Sequence, residues 1–231
     1  TVYAVGYMRA HHEQNQTRFY TAFAVSIAAA MCIALAGNML TLFVFYEVLS
    51  VATYPLVTHA GSAKAKRAGR VYLGLLMGTS IGLFLLAMVW TWQLTGTLDF
   101  TPGGVFDDTV GDGVLGILLL LFVFGTGKAA LMPFHRWLPA AMVAPTPVSA
   151  LLHAVAVVKA GVFSITKVIT YIFGLDFLDA QPSAEWLTPL AAFTILGASA
   201  VALAQTNLKR MLAYSTISQL SYIIMAAAVL K

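Results

Sequence analysis

Residues 38–59 read NMLTLFVFYEVLSVATYPLVTH, a run that is apolar almost from end to end and carries one carboxylate, Glu47, near its middle. A helix that crosses a bilayer needs about 20 such residues. Continuous apolarity, without the alternation of barrel strands, selects a helix over a membrane strand. Working outward, the pattern recurs at 19–37, 70–95, 113–132, 148–173, 186–206 and 210–230, with only the turn-like Gly37-Asn38 between the first run and this one. The expected fold is an all-α polytopic membrane protein of about seven transmembrane helices in a single membrane domain over residues 1–231.

Composition agrees. The chain is 60% hydrophobic and 10% charged, with a mean hydropathy of +0.85, whereas soluble chains are about 25% charged. Thirteen basic and nine acidic residues cannot coat a soluble core of this size. One cysteine, Cys32, and no Cys/His cluster exclude a disulfide framework, iron–sulfur ligation and a cysteine zinc site, so neither cofactor nor metal is expected. The formal charge of +4 does not imply nucleic acid as a partner, because the basic residues are scattered among apolar segments. The chain starts at Thr1 and stops at Lys231 directly after an apolar run, which reads as a piece of a longer polypeptide.

Loop charges alternate. Lys64, Lys66, Arg67 and Arg70 precede the third run; Asp99, Asp107, Asp108 and Asp112 follow it. Arg136 comes next, then Asp176, Asp179 and Glu185, then Lys209 and Arg210, with Arg9 and Arg18 against Glu13 at the N-terminus. Basic loops stay cytoplasmic, so the first run passes from inside to outside and the sixth from outside to inside. A repeat of five helices that restarts at the sixth run is therefore inverted. Gly74, Gly78 and Gly82 form two small-xxx-small steps, read as a flat face for close helix packing.

Four charges lie inside apolar runs: Glu47, Lys128, Lys159 and Lys167. Each costs about 2.5–3.5 kcal/mol at the centre of an isolated inserting helix. Glu47 and Lys159 sit mid-run and are poorly placed to reach water; Lys167 is close enough to its helix end to snorkel. His153, near neutrality in its ordinary pKa, is a candidate proton relay but lies about 240° around a helix from Lys159. Gly125-Thr126-Gly127-Lys128 lacks the first glycine and the Ser or Thr of a phosphate loop. It is instead a flexible point beside a charge, followed by Pro133, Pro139, Pro145 and Pro147. Such broken segments at membrane depth line hydrated cavities or are buried in protein.

Several stretches together carry a resemblance. They are Phe45-Tyr46-Glu47-Val48-Leu49-Ser50, Gly127-Lys128-Ala129-Ala130, Pro133-Phe134-His135-Arg136-Trp137-Leu138-Pro139, and Ala144-Pro145-Thr146-Pro147 running on to His153. Lys159-Ala160-Gly161-Val162 and Asn207-Leu208-Lys209-Arg210 complete the series. The chain resembles the antiporter-like membrane subunits shared by respiratory complex I, membrane-bound hydrogenases and Mrp-type cation/proton antiporters. The pairing of Phe45-Tyr46-Glu47 with Lys159, and the segment Ala52–His59, resemble the Mrp D-type subunit most.

The resemblance implies two inverted five-helix repeats, each with a broken helix, of which this chain holds the first (19–173) and the start of the second (186–231). It places the family's helix-five glutamate on Glu47, its helix-seven lysine on Lys128 and its helix-eight lysine on Lys159. The charged residue of the second broken helix has no counterpart. The implied function is proton translocation as one subunit of a multisubunit Na+/proton antiporter, in a bacterial or archaeal inner membrane, with other membrane subunits, lipid, protons and Na+ as partners. The alternative is a pump subunit of an NADH:quinone oxidoreductase or membrane-bound hydrogenase; in neither does the chain itself carry redox chemistry. On this reading Glu47 and Lys128 form a pair that can separate, and Lys159 receives the proton through water with His153 and Ser149 assisting.

Overall fold

The computed structural model describes residues 2–107, 109–175, 178 and 181–229. Asp108, Asp176 and Asp179, counted above among the acidic loops, lie outside the described residues. A short helix α1 (Val2–Ala10) precedes α2 (Gln16–Leu35) and α3 (Met39–Val57). A long helix follows, in which α4 (Ala63–Thr79) and α5 (Leu85–Thr95) are joined through a π-helical turn, Ser80–Phe84. Next come α6 (Asp112–Gly125), the short α7 (Trp137–Ala140) and α8 (Thr146–Ala150). A second π turn, Leu151–Val155, leads into α9 (Val157–Val168), then α10 (Leu187–Leu203) and α11 (Leu208–Val229). Among the described residues six helices are long and apolar enough to span a membrane, and Asp112–Gly125 is a shorter apolar helix.

Local chemistry sets several ends. Asn38 starts α3 by accepting the Thr41 N–H at 2.7 Å, and Ser62 starts α4 by accepting the Ala65 N–H at 3.1 Å. Gly96, at φ 70°, ends α5 in a conformation that costs glycine nothing.

The acidic and basic loops sort to opposite ends of the bundle. The turn at 36–39 meets the loop after α5, where Met39 N–H donates to Leu98 O at 2.8 Å and Phe100 N–H donates to Gly37 O at 3.3 Å. The same loop reaches the end of the 146–173 helix, with Val105 N–H on Ile172 O at 2.9 Å. Exposed Asp107 lies here, its carboxyl held below the usual range by hydrogen bonds from Thr109. At the other end His59 lies 3.7 Å from Glu13, the one ion pair within 4.0 Å among the described residues.

Three expectations change. The fourth apolar run predicts a helix over 113–132, but α6 stops at Gly125. Its 14 residues cover about 21 Å, short of a hydrocarbon core of about 30 Å. The break follows from close approach: a Cβ on Gly125 would lie 2.4 Å from Phe84 N, and one on Gly127 would lie 2.3 Å from Thr79 Oγ1. The chain therefore leaves its helix where it meets the π turn of the long helix.

The second change concerns Gly74, Gly78 and Gly82. They meet no helix among the described residues, since a Cβ on any of them finds nothing within 4 Å; tight glycine contacts fall elsewhere, among them Gly69, Gly125, Gly127 and Gly161. The third concerns Lys167, which lies near its helix end and is partly exposed, as a snorkelling lysine would be, but also has protein partners there. Its Nζ donates to Ala36 O at the C-terminal end of α2 and lies 4.3 Å from the centre of the Phe100 ring. The carbonyl end of that helix is a favourable place for a cation.

Candidate functional site: a buried lysine in a broken helix

The break between α6 and α7 carries Lys128 in a single 3-10 turn, Gly127–Ala129. Ala130 closes the turn at φ 58° and ψ 31°, a left-handed conformation that side chains with a Cβ rarely adopt. Packing holds it there. The Trp137 indole N–H donates to Gly127 O at 2.8 Å. Across the turn, α9 comes so near that a Cβ on Gly161 would lie 2.2 Å from Ala129 N. Only a glycine permits that approach.

This closure leaves Lys128 with 0% of its surface exposed, among the largest fully buried side chains of the molecule. Its backbone N–H donates to the Tyr46 hydroxyl at 3.1 Å. Its Nζ donates to Tyr46 O at 2.8 Å and to Ser50 Oγ at 2.6 Å, and lies 3.1 Å from the centre of the Tyr46 ring. The hydroxyl-bearing face of α3 continues away from the lysine. Thr53 Oγ1 lies 2.6 Å from the Tyr72 hydroxyl, and the Tyr72 ring packs edge-on against Trp137 with centroids 5.5 Å apart. Tyr46, Ser50 and Thr53 recur at i, i+4 and i+7 and so share one side of the helix.

Glu47 belongs to the same region but makes none of these contacts. Both carboxylate oxygens are buried without a hydrogen-bond partner, and no Glu47–Lys128 contact falls within 4.0 Å among the described residues. The expected pair is thus open in this structure.

Lys159 and His153 occupy other surroundings. Lys159 is exposed and lines a cavity of about 250 Å3 between α2 and α9, beside Ala30, Ala34, Ala156 and Phe163. It precedes Gly161 by two residues, about 200° around the helix, and so points away from the Lys128 turn. His153, half-buried in the π turn, places Nε2 2.9 Å from Met142 Sδ, while its buried Nδ1 has no partner. Nearby, Lys209 Nζ from the start of α11 donates to Ala144 O at 2.9 Å, and Ser149 Oγ donates to the same carbonyl at 3.4 Å. Among the described residues no hydrogen bond links His153 or Ser149 to Lys128 or Lys159. No group of three or more His, Cys, Asp or Glu residues suited to a metal occurs among the described residues.

Sequence reasoning passed over Tyr46, Ser50, Tyr72 and Trp137 as site residues. The signal for the first two was present as the hydroxyl stripe at 46, 50 and 53 on an otherwise apolar run.

Residues 36–231 match the family model described as NADH:quinone oxidoreductase/Mrp antiporter, TM. The chain belongs to this family. With its spanning helices, it is an integral membrane protein. Curated relatives include NAD(P)H-quinone oxidoreductase subunit 5, chloroplastic, of Zygnema circumcarinatum, 35% identical over 244 residues, covering 99% of this chain and 32% of that protein. NAD(P)H-quinone oxidoreductase chain 5 of Synechocystis sp. is 31% identical over 237 residues, covering 99% and 34%. The chain thus spans about a third of the length of the curated relatives it matches.

Solved structures that share the fold of this chain include two membrane complexes. One is the Mrp complex from Dietzia sp. DQ12-45-1b, with a TM-score of 0.81 and 28% identity, covering 92% of this chain and 23% of that one. The other is the membrane-bound sulfane sulfur reductase, an archaeal respiratory membrane complex, with a TM-score of 0.80 and 28% identity, covering 91% and 43%.

Proposed function

We propose that this chain forms part of a proton-translocating membrane subunit of a multisubunit complex, with Lys128 as its proton-binding group and Glu47 as the partner that controls it. One observation carries the reading: a fully buried lysine and a buried carboxylate without partners lie in the same apolar bundle and do not touch. A pair kept only to hold two helices together would be closed, because an unpaired buried charge is costly. At an effective dielectric of about 20, two unit charges 4 Å apart interact by about 4 kcal/mol, or about 3 pKa units. Opening and closing that contact is therefore enough to load or discharge a lysine. Lys159 accepts the proton through water, and His153 and Ser149 serve the hydrated path from the basic end.

Residues 19–173 act as one five-helix repeat and 186–231 open a second, inverted one. The complex to which the chain belongs is read in two ways. The likeness of Phe45-Tyr46-Glu47 and Ala52–His59 to the Mrp D-type subunit, together with the Mrp complex among the solved relatives, supports a Na+/proton antiporter in a bacterial or archaeal inner membrane. The names of the curated relatives support a redox-driven pump, and they include chloroplast and cyanobacterial proteins. Co-purified subunits separate the two, since flavin or iron–sulfur partners belong only to the second.

The central test is Lys128→Ala in the full-length subunit within its assembled complex, reconstituted in vesicles. Proton translocation is expected to be lost; transport at the parental rate sinks the proposal.

A further inference from the structure

We propose that Tyr46 and Ser50 form a second docking position for the Lys128 amine, and that Ser50 is the positioning residue that holds the lysine away from Glu47. The inference rests on the proposed function and adds to it the place where the lysine resides when the pair is open.

The cradle takes hold of the lysine at both ends. The Tyr46 hydroxyl accepts the Lys128 backbone N–H at 3.1 Å, while the Tyr46 carbonyl and ring receive the ammonium at 2.8 Å and 3.1 Å. Ser50 Oγ accepts from the ammonium at 2.6 Å and donates to Tyr46 O at 3.2 Å, so its own proton is directed away from the lysine. Glu47 is the residue after Tyr46 and lies one turn before Ser50 on α3. Carboxylate and cradle are thus alternatives for one flexible four-carbon side chain.

The remaining neighbours do not compete. Tyr72 on α4 is engaged with Thr53, α9 presents Gly161 to the turn, and Lys159 faces its own groove.

The hydroxyl matters for a chemical reason. An ammonium has three donors and no acceptor, whereas a neutral amine has two donors and one lone pair; a carboxylate can only accept from either. Serine both accepts and donates. Ser50 can therefore bind Lys128 in its charged form and, by turning its O–H, keep it after the proton has left. Glu47 binds the charged form and has nothing to offer the lone pair of the neutral one. A hydroxyl at position 50 thus lets the lysine release its proton without falling back onto the acid.

The test uses the full-length subunit in its assembled complex, with transport measured in vesicles and complex abundance measured alongside. Ser50→Ala is expected to slow transport about tenfold, the equivalent of one charge-assisted hydrogen bond. Ser50→Thr, which keeps the hydroxyl, is expected to stay near the parental rate. In a Glu47→Asp background, where the shortened acid competes less for the lysine, Ser50→Ala is expected to cost less than it does alone. Three outcomes overturn the inference: parental transport in Ser50→Ala, equal slowing by Ser50→Thr and Ser50→Ala, or independent multiplication of the Ser50→Ala and Glu47→Asp effects. Should Ser50→Ala fail to assemble, Ser50→Cys, close in size with a weaker bond, carries the same expectations in smaller degree. Lys128→Ala separates the two ideas. If it transports normally the proposed function falls, whereas if it is inactive and the Ser50 series gives an overturning result, only the cradle falls.

Discussion

Lys128 and Lys159 are the same residue type, each inside an apolar run, yet the fold treats them in opposite ways. Lys128 sits in a helix break, enclosed and hydrogen-bonded through both its backbone and its side chain. Lys159 sits in an intact helix, exposed along a groove. The cause is Gly161. By docking against the backbone of the Lys128 turn it fixes the rotation of α9, and that rotation sends Lys159 to the other side. A charge in an apolar run shows that something is unusual there; which way it points is decided by the close contact next to it.

The strongest way to break this comparison is to remove each amine in turn. Lys128→Met is expected to abolish transport and also to destabilise the protein by about 1–3 kcal/mol, because it removes the hydrogen bonds that Nζ donates to Tyr46 O and Ser50 Oγ. Lys159→Met is expected to abolish transport as well, but to change stability by no more than about 0.5 kcal/mol, since Lys159 makes no hydrogen bond or ion pair among the described residues and is exposed. Thermal unfolding in detergent, set beside vesicle transport, checks both. Equal destabilisation by the two substitutions contradicts the distinction drawn here.

Next in size is the contact that sets the rotation. Gly161→Val pushes a side chain into backbone that has no room to yield and is expected to cost about 1–3 kcal/mol or more. Gly78→Val, on the open face, has no such collision. The same denaturation experiment distinguishes them, and similar losses at both sites would mean that the Gly161 contact does not fix α9. Smaller still is Trp137→Phe, which removes the indole bond to Gly127 O but keeps most of the ring. About 1 kcal/mol is expected, and no loss would show that the turn is held without it.

Much of the fold was legible because lipid imposes a strict rule. Seven apolar runs follow from hydropathy and their orientation from the alternating loop charges, and every run contains a helix at its expected place. The end of the fourth helix was not legible in detail, since 126–132 continues the apolar run with a single charge, Lys128, and ends in Ala129-Ala130-Leu131-Met132; contact with Phe84 and Thr79 ends it, although the glycines and prolines marked the region as loosened. Glu47, Lys128 and Lys159 stood out because charges are scarce. Ser50, Tyr46 and Trp137 did not, because hydroxyl and aromatic residues are common in apolar helices, where a serine bonds its own i−4 carbonyl. The Gly74, Gly78 and Gly82 face misled for a related reason: spacing shows that a close approach is possible, not that a partner is there.

The finest test concerns Ala130, whose left-handed backbone closes the Lys128 turn where a glycine would do so freely. Three terms nearly cancel in Ala130→Gly. Relief of the left-handed conformation gains about 1–2 kcal/mol. Loss of a buried methyl costs about 0.8 kcal/mol. The freer unfolded chain costs about 0.5–1 kcal/mol. The melting temperature should therefore hardly move. What changes is the number of conformations open to the turn, so amide exchange over 127–131 is expected to quicken while exchange in α3 and α9 stays the same. If exchange in the turn is unaltered, Gly161 and Trp137 hold Lys128 in place by packing alone. If it quickens, the alanine itself is part of what keeps this lysine enclosed while Lys159 stays open.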